Sequence, residues 1–437
     1  MNFLKICVKK TRAFLKQILL ILKKEKKEEV QLIIQHWIRI FNIKLGWIHD
    51  FDKLVVNYVI FIYIFIDYYY LTQMNTFFIF EAFRSSSKLL NTLHGHTNWV
   101  NSIDFSTFDD IKLLCSGSSD KTVRVWDLET NKQIQLFDGH LNSVYCVRFS
   151  QYYYHNNHSN VICSSSDDQT VRFWDVKENR QINIFNGHTG GIFGIELSPF
   201  NGGRYLCSGS VDKTMRLWDV ETSKSLHVFN GHTNTVWCVD FSPLQNNSSD
   251  KNNNMGVIGG NGYTLCSGSH DKTICIWDIE TTKQLIVFKG HEDYVRSVKY
   301  GSNKLGINGG ANTILSGSRD KKVRLWDIRS GQQIQVFNGH TNWIRVVEYS
   351  PFVVNNNEIG GNSNVICSGS LDDTIRFWDI RSNKNELYVI KGEKAGGRGI
   401  LCLRFLQLKK NIESTNNRGY DINLYYGSCN SNICIWG

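Results

Sequence analysis

The chain has 437 residues, 20% of them charged and 13% aromatic, with 49 Lys/Arg against 40 Asp/Glu for a net charge of +9. This balance excludes a disordered or collagen-like chain and leaves room for several domains or one large repeat architecture. The positive charge does not mark a nucleic-acid surface, because residues 1–85 carry 13 Lys/Arg and 7 Asp/Glu, and the rest of the chain is close to neutral.

The first 85 residues differ in character from the remainder of the chain. Leu4, Val8, Thr11, Leu15, Ile18 and Leu22 share one helical face within residues 1–24, among seven Lys/Arg and no acid. A basic amphipathic helix of this kind suits an anionic membrane surface or a targeting segment, and the absence of serine argues against a transit peptide. Ile33, Ile34, Trp37 and Phe41 predict a second helical stretch over Val30–Phe41. Leu54–Ile66 is an apolar run that Asp67 interrupts; a membrane span needs about 20 such residues, so a packed or interfacial segment is favoured. The expected organisation is a short, basic, mainly helical extension over residues 1–85 and a second domain over 86–437.

From residue 88 onward the chain repeats. Gly-His pairs begin at Gly95, Gly139, Gly187, Gly231, Gly290 and Gly339, and Trp-Asp pairs at Trp126, Trp174, Trp218, Trp277, Trp326 and Trp378. An Asp stands six residues before each of these tryptophans, and 13 residues separate each of the first five from the next Gly. An apolar or aromatic residue falls nine after each His (Phe105, Phe149, Leu197, Phe241, Tyr300, Tyr349), and from there to the Asp the gap varies between 15 and 30. Fixed spans with one elastic segment describe a rigid strand framework with one permissive loop per repeat. The fixed spans are rich in β-formers, as in Val100–Phe105, Thr122–Trp126 and Gln133–Phe137, and Asp-Lys-Thr segments supply the turns. Each repeat is therefore four short antiparallel strands.

Cys115, Cys163, Cys207, Cys266 and Cys367 recur at one strand position, just before a Ser-Gly-Ser or Ser-Ser-Ser triplet. Equivalent positions in different repeats lie too far apart for disulfides, so these are buried thiols suited to a reducing compartment. With no Cys-x-x-Cys pair, no metal site is expected, and nothing in the sequence asks for a cofactor.

These spacings over residues 88–437 resemble the WD-40 repeat family. The resemblance implies an all-β, seven-bladed propeller, with strands a to d running outward from a central channel. The elastic segment is then the a–b loop, long and Asn/Gly-rich at Gln245–Gly262, Gly301–Thr313 and Asn355–Asn364, on one common face. A worn seventh copy runs from Gly392 to Gly437, with Glu393 for His, Tyr426 for Ser and Asn430 for the turn Asp. It ends in its c strand, and Lys88–Leu93 aligns with the d strands elsewhere. The first propeller strand should therefore complete the last blade.

Every regular repeat offers a His, a Ser and an Asp, with the Trp alongside: His96, Ser116, Asp120 and Trp126; His140, Ser164, Asp168 and Trp174; His188, Ser208, Asp212 and Trp218; His232, Ser267, Asp271 and Trp277; His291, Ser316, Asp320 and Trp326; His340, Ser368, Asp372 and Trp378. A hydrolase needs one nucleophile poised beside one base, and six near-identical sets around a ring serve no such purpose. The resemblance implies a buried hydrogen-bond network instead. It also implies that partner-contacting residues come from the fourth position after the Gly, the position two further on, and the residue before the turn Asp. Those positions supply the aromatics Trp99, Tyr145, Phe193, Trp237, Tyr294 and Trp343 around the channel mouth. They also supply Arg296, Arg319 and Arg345 beside blades 5 and 6, with Asp167 across the ring.

The expected function is a non-enzymatic scaffold for protein or peptide partners, with nucleic acid not among them. Two variants are a substrate-recognition subunit reading acidic or phosphorylated peptides, and a scaffold recruited to a membrane through residues 1–85. A cytoplasmic or nuclear location is expected for the soluble forms.

Overall fold

In the first repeat, strands a (Val100–Phe105), b (Leu113–Ser118), c (Val123–Asp127) and d (Lys132–Phe137) form one antiparallel sheet in chain order. Strand b is buried along its whole length, because the flanking blades cover both of its faces. This explains the Cys-Ser-Gly-Ser run. A Cβ on Gly117 would stand 2.7 Å from a methyl of Val144 in the next blade, so the position must stay bare. Strand d, outermost, exposes Lys132, Gln133, Ile134 and Leu136 and buries Phe137.

The computed structural model describes residues 78–106, 112–243, 263–301, 312–356, 361–382, 386–392, 399–408 and 421–437. The amphipathic and apolar stretches predicted within residues 1–66 lie outside them, as do all of Gln245–Gly262, most of Gly301–Thr313, and Glu393. Six further sheets repeat the first one, and neighbouring a strands pack side by side around a closed ring, the seventh against the first. The chain therefore folds as a seven-bladed β-propeller. The closing blade contains Ile400–Leu408, Asp421–Ser428 and Ile433–Trp436, with Leu89–Leu93 as its outer strand. Leu89 pairs with Trp436 and Leu93 with Ile433, and Lys88 and Gly437 exchange backbone hydrogen bonds of 3.1 and 3.2 Å. Closing the ring with strands from both ends of the domain leaves only short outer edges.

Two features depart from the sequence expectations. Asn355–Asn364 is not a simple loop: strands a and b of blade 6 extend into a hairpin that pairs Val353 with Asn364 and Asn356 with Gly361. The blade 2 a–b connection contains a helix, Gln151–Asn157, where loop was expected. The compact propeller unit runs from Phe77 to Gly437. Phe78–Ile79 adds a short parallel strand beside Phe352 and Val353 of the blade 6 hairpin. The helix Phe80–Ser86 then buries Phe80 and Phe83 against Phe352 and Phe377, with ring centroids 4.6–5.9 Å apart.

Candidate partner-binding face

The repeated His, Ser, Asp and Trp do one structural job in six blades. The His Nδ1 lies 2.7–2.8 Å from the Asp Oδ2. The His Nε2 lies 2.7–2.8 Å from the Ser Oγ. The Trp Nε1–H donates to the same Oγ at 2.7–2.9 Å. One tautomer satisfies every atom: Nδ1–H donates to the carboxylate, the serine hydroxyl donates to Nε2, and the serine oxygen accepts from the indole. The carboxylate also accepts the backbone N–H of the residue after the His, tying the d–a loop to the b–c turn. The Gly before the His is required by the indole, as a Cβ on Gly139 would meet the Trp174 ring at 2.8 Å. Of the arginines two residues before the Trp, Arg124 bonds Gln133 and Arg172 bonds Gln181 of the adjoining d strands, so these two are framework as well.

These clusters make stability depend on pH. Burial holds His96, His140 and His291 below their ordinary 6.5, against the pull of their aspartates. Burial and the nearby Arg296 and Arg319 lower His270 to about 4. A histidine whose folded pKa is depressed contributes stability that is present above 6.5 and lost as pH falls toward the folded value. Burial raises Asp104, and raises Asp240 to about 6. These two oppose the trend between their ordinary 3.8 and the raised values, two groups against four. Burial opposes the charge on His232, but its bonds to Asp271 and Cys275 raise it to about 9, so below 6.5 it is protonated in both states. Thermal unfolding should therefore shift to lower temperature between pH 7 and pH 5. An unchanged midpoint across that interval would contradict this account. A second loss is expected well below 3.8. Burial disfavours the charge on Asp120 and its equivalents, but hydrogen bonds from the histidines outweigh it and hold these carboxyls far below their ordinary value.

The channel mouth is built by a second repeated device. In all seven blades strand a carries a β-bulge one residue after its start, as between Val100 and Ser102 or Val295 and Ser297. The extra residues are Asn101, Tyr145, Phe193, Trp237, Arg296, Arg345 and Leu401. A bulge leaves its extra residue out of the ladder and re-aims its side chain, here toward the axis that all seven blades share. Phe193 stacks on Trp237 at 3.9 Å, and Tyr145 meets Phe193 edge-on at 4.4 Å. Trp237 stacks on His270 at 5.0 Å, and His270 on Tyr294 at 4.1 Å. The Arg296 guanidinium lies 3.5 Å over Trp237, Arg345 lies 5.5 Å from the same ring, and Arg319 lies 3.8 Å over Trp343. The predicted aromatic ring is thus an arc over blades 2 to 6. Trp99 is 43% exposed and does not join the stack, and Asp167 bonds Asn142 instead. His270 was missed, although it occupies the same place before the turn Asp as Arg319 and Asp167.

This arc is rich in positive charge and poor in partners. Arg319 is 3.4 Å from Asp293, but Glu348 is taken by Arg404 at 2.8 Å and is not available to Arg345. Arg296, 9% exposed, has neither its Nε nor its Nη1 hydrogen-bonded, and His270 Nε2 is also unpartnered. Burial together with Arg345 and Arg319 lowers Arg296 to about 9. Deeper in the channel, each blade contributes one charged residue: Asp104, Arg148, Glu196, Asp240, Lys299, Glu348 and Arg404. Ion pairs such as Arg148–Glu196 at 3.0 Å and Lys299–Glu196 at 3.5 Å compensate that level. At the mouth, no ion pair among the described residues compensates Arg296 or Arg345.

A closed ring of seven four-stranded blades, with a repeated buried network and a channel mouth lined from every blade, defines a propeller scaffold, typically a non-catalytic fold. The profile of the family described as "WD domain, G-beta repeat" matches residues 87–127, 131–175, 179–219, 223–278, 282–327 and 331–379, and the chain belongs to this WD40 family. The worn seventh blade falls outside the matched segments. Among similar proteins is a probable E3 ubiquitin ligase complex SCF subunit sconB of Arthroderma otae, 42% identical over 57 residues, which are 13% of this chain and 8% of that protein. Coatomer subunit beta'-1 of Arabidopsis thaliana is 40% identical over 58 residues, 13% of this chain and 6% of that one. WD repeat and SOCS box-containing protein 1 of Danio rerio is 42% identical over 66 residues, 15% of each chain. The aligned segments thus span 15% or less of these relatives.

Proposed function

We propose that the protein is a non-enzymatic scaffold whose channel mouth, on the Gly-His loop face, captures an acidic or phosphorylated segment of a protein partner. One observation carries this reading: the buried Arg296 has two unpartnered nitrogens, feels the charges of Arg345 and Arg319, and forms no ion pair with a carboxylate among the described residues. A buried guanidinium left unbonded is costly, and an incoming carboxylate or phosphate supplies both the missing hydrogen bonds and the missing charge. The aromatic arc adds rigid area that loses little entropy on binding. Relatives named as a probable E3 ubiquitin ligase complex SCF subunit and as a WD repeat and SOCS box-containing protein support a role in which the propeller holds a protein for an activity carried by other chains.

Screening an array of peptides with and without phosphoserine or clustered Asp/Glu tests the reading. The acidic members should bind preferentially, and Arg296→Ala should weaken them about tenfold or more, as loss of a desolvated charge pair does. The triple change of Arg296, Arg319 and Arg345 to Ala should remove the acidic preference altogether. Hits without acidic bias, or binding indifferent to the triple change, would refute the proposal. Membrane recruitment through residues 1–85 is a compatible second reading, motivated by the lysine-rich face of residues 1–24 and tested by vesicle sedimentation with and without that segment.

A further inference from the structure

In all seven blades the residue before the turn Asp, or before Asn430 in the closing blade, is held in one way. Its backbone N–H bonds the carbonyl of the residue just before strand a at 2.9–3.1 Å, as His270 does to Thr235 and Arg319 to Tyr294. The backbone is shared, so the side chain is what distinguishes the blades. Blades 1 to 3 carry Ser119, Asp167 and Val211 there, whereas blades 4 and 5 carry His270 and Arg319 side by side.

His270 is joined to each of the three mouth arginines through a ring they share. Its imidazole stacks on Tyr294 at 4.1 Å with 12° between the planes, and the Arg319 guanidinium lies 5.2 Å from that same phenol ring. It also stacks on Trp237 at 5.0 Å and 13°, and that indole carries Arg296 at 3.5 Å and Arg345 at 5.5 Å. Packing alone does not account for a histidine at this place. His270 Nε2 is buried without a hydrogen-bond partner, whereas a phenylalanine would fill the stack and strand no polar atom. The charges facing the imidazole are Arg296, Arg319 and Asp293 of blade 5 and Arg345 of blade 6, three cations against one carboxylate. Asp271, next in the chain, is taken by His232 at 2.7 Å. Burial and the three arginines keep the ring uncharged in the free protein, with His270 lowered to about 4.

We infer that His270 is the fourth cationic residue of the anion site and that it takes up a proton as the acidic segment docks. This rests on the proposed anion reading and adds to it one residue and one proton. An anion seated among Arg296, Arg319 and Arg345 cancels the field that keeps the imidazole neutral. A proton from solvent then enters at the ring nitrogen that lacks one, and the imidazolium, with an N–H at both nitrogens, adds its charge to those of the arginines. Proton uptake and binding are therefore linked, and the sign follows. A group whose affinity for protons is higher in the bound state makes binding tighten as pH falls.

The test titrates two decapeptides into the full chain and into His270→Phe, which keeps a stacked ring but cannot be protonated. One peptide carries four Glu, whose carboxylates stay ionised above pH 6. The other carries one phosphoserine, which itself titrates near pH 6, so only the difference between the two proteins is read from it. Calorimetry at pH 6.5 in two buffers of different ionisation enthalpy counts the protons. If docking restores the ring to its ordinary 6.5, the native chain should take up about half a proton more than the variant with either peptide. Its affinity for the Glu peptide should rise about fourfold from pH 8 to pH 6, a rise that His270→Phe should lose whatever its affinity at pH 8. Equal proton uptake by the two proteins, with every peptide that binds, overturns the inference and leaves the anion reading standing. If neither peptide binds the native chain at any pH, both fail.

Discussion

Replacing Trp326 by Ala should lower stability by about 3–5 kcal/mol, whereas the same change at Trp436 in the closing blade should cost clearly less. Trp326 is 2% exposed, packs on Phe288 and donates its indole N–H to Ser316, which also bonds His291. Removing it opens a cavity and leaves a buried serine oxygen short of a donor. Trp436 is only partly buried, its Nε1 has no hydrogen-bond partner, and Tyr426 stands where the serine would be. Its deletion removes packing but breaks no network. Denaturant unfolding of the two variants beside the native chain measures the difference, and equal losses would show that the network contributes little beyond the packed ring.

Changing Phe80 and Phe83 together to Ala should be comparably severe, although both lie upstream of the first repeat. Each ring touches both Phe352 and Phe377, so the two losses should be less than additive. Single replacements should cost about 3 kcal/mol each, and the pair roughly 4–5 kcal/mol. The covered surface extends to Tyr388, with which Ser87 shares a hydrogen bond of 3.3 Å. Blades 6 and 7 should respond first, because Phe405 and Ile422 of the closing blade belong to the same core. Limited proteolysis that cut the double variant no faster than the native chain, together with an unchanged melting temperature, would show that the segment only rests on the blade. A fragment designed from the repeat boundaries alone, starting near residue 88, would lack this cover.

The sequence by itself determined the propeller because its evidence is local and repeated. Gly-His, Asp and Trp-Asp recur at fixed offsets since each blade must place one imidazole, one carboxylate, one hydroxyl and one indole within hydrogen-bond reach. A spacing error in any one of them would leave a buried polar group unpaired. Ring closure was legible for the same reason, as Leu93 occupies the register of Phe137 and only a d strand was missing at the C-terminal end. What the tertiary structure decided depends on contacts between residues far apart in sequence. The burial of Phe80 and Phe83 on Phe352 and Phe377 has no periodicity to announce it. The hairpin at Asn356 and Gly361 forms from residues whose composition signals loop, held by a ladder that runs on from strands a and b. At the channel mouth, the sequence named Trp237, Arg296, Arg319 and Arg345. The a-strand bulges, repeated in all seven blades, decided that Trp237, Arg296 and Arg345 converge on one axis, while Arg319 comes from the b–c turn. The loop geometry left Trp99 outside the stack and brought His270 into it. A one-residue bulge is invisible to strand propensity, yet it sets which way a side chain points, and at this site that direction separates an exposed arginine from a buried and unpartnered one.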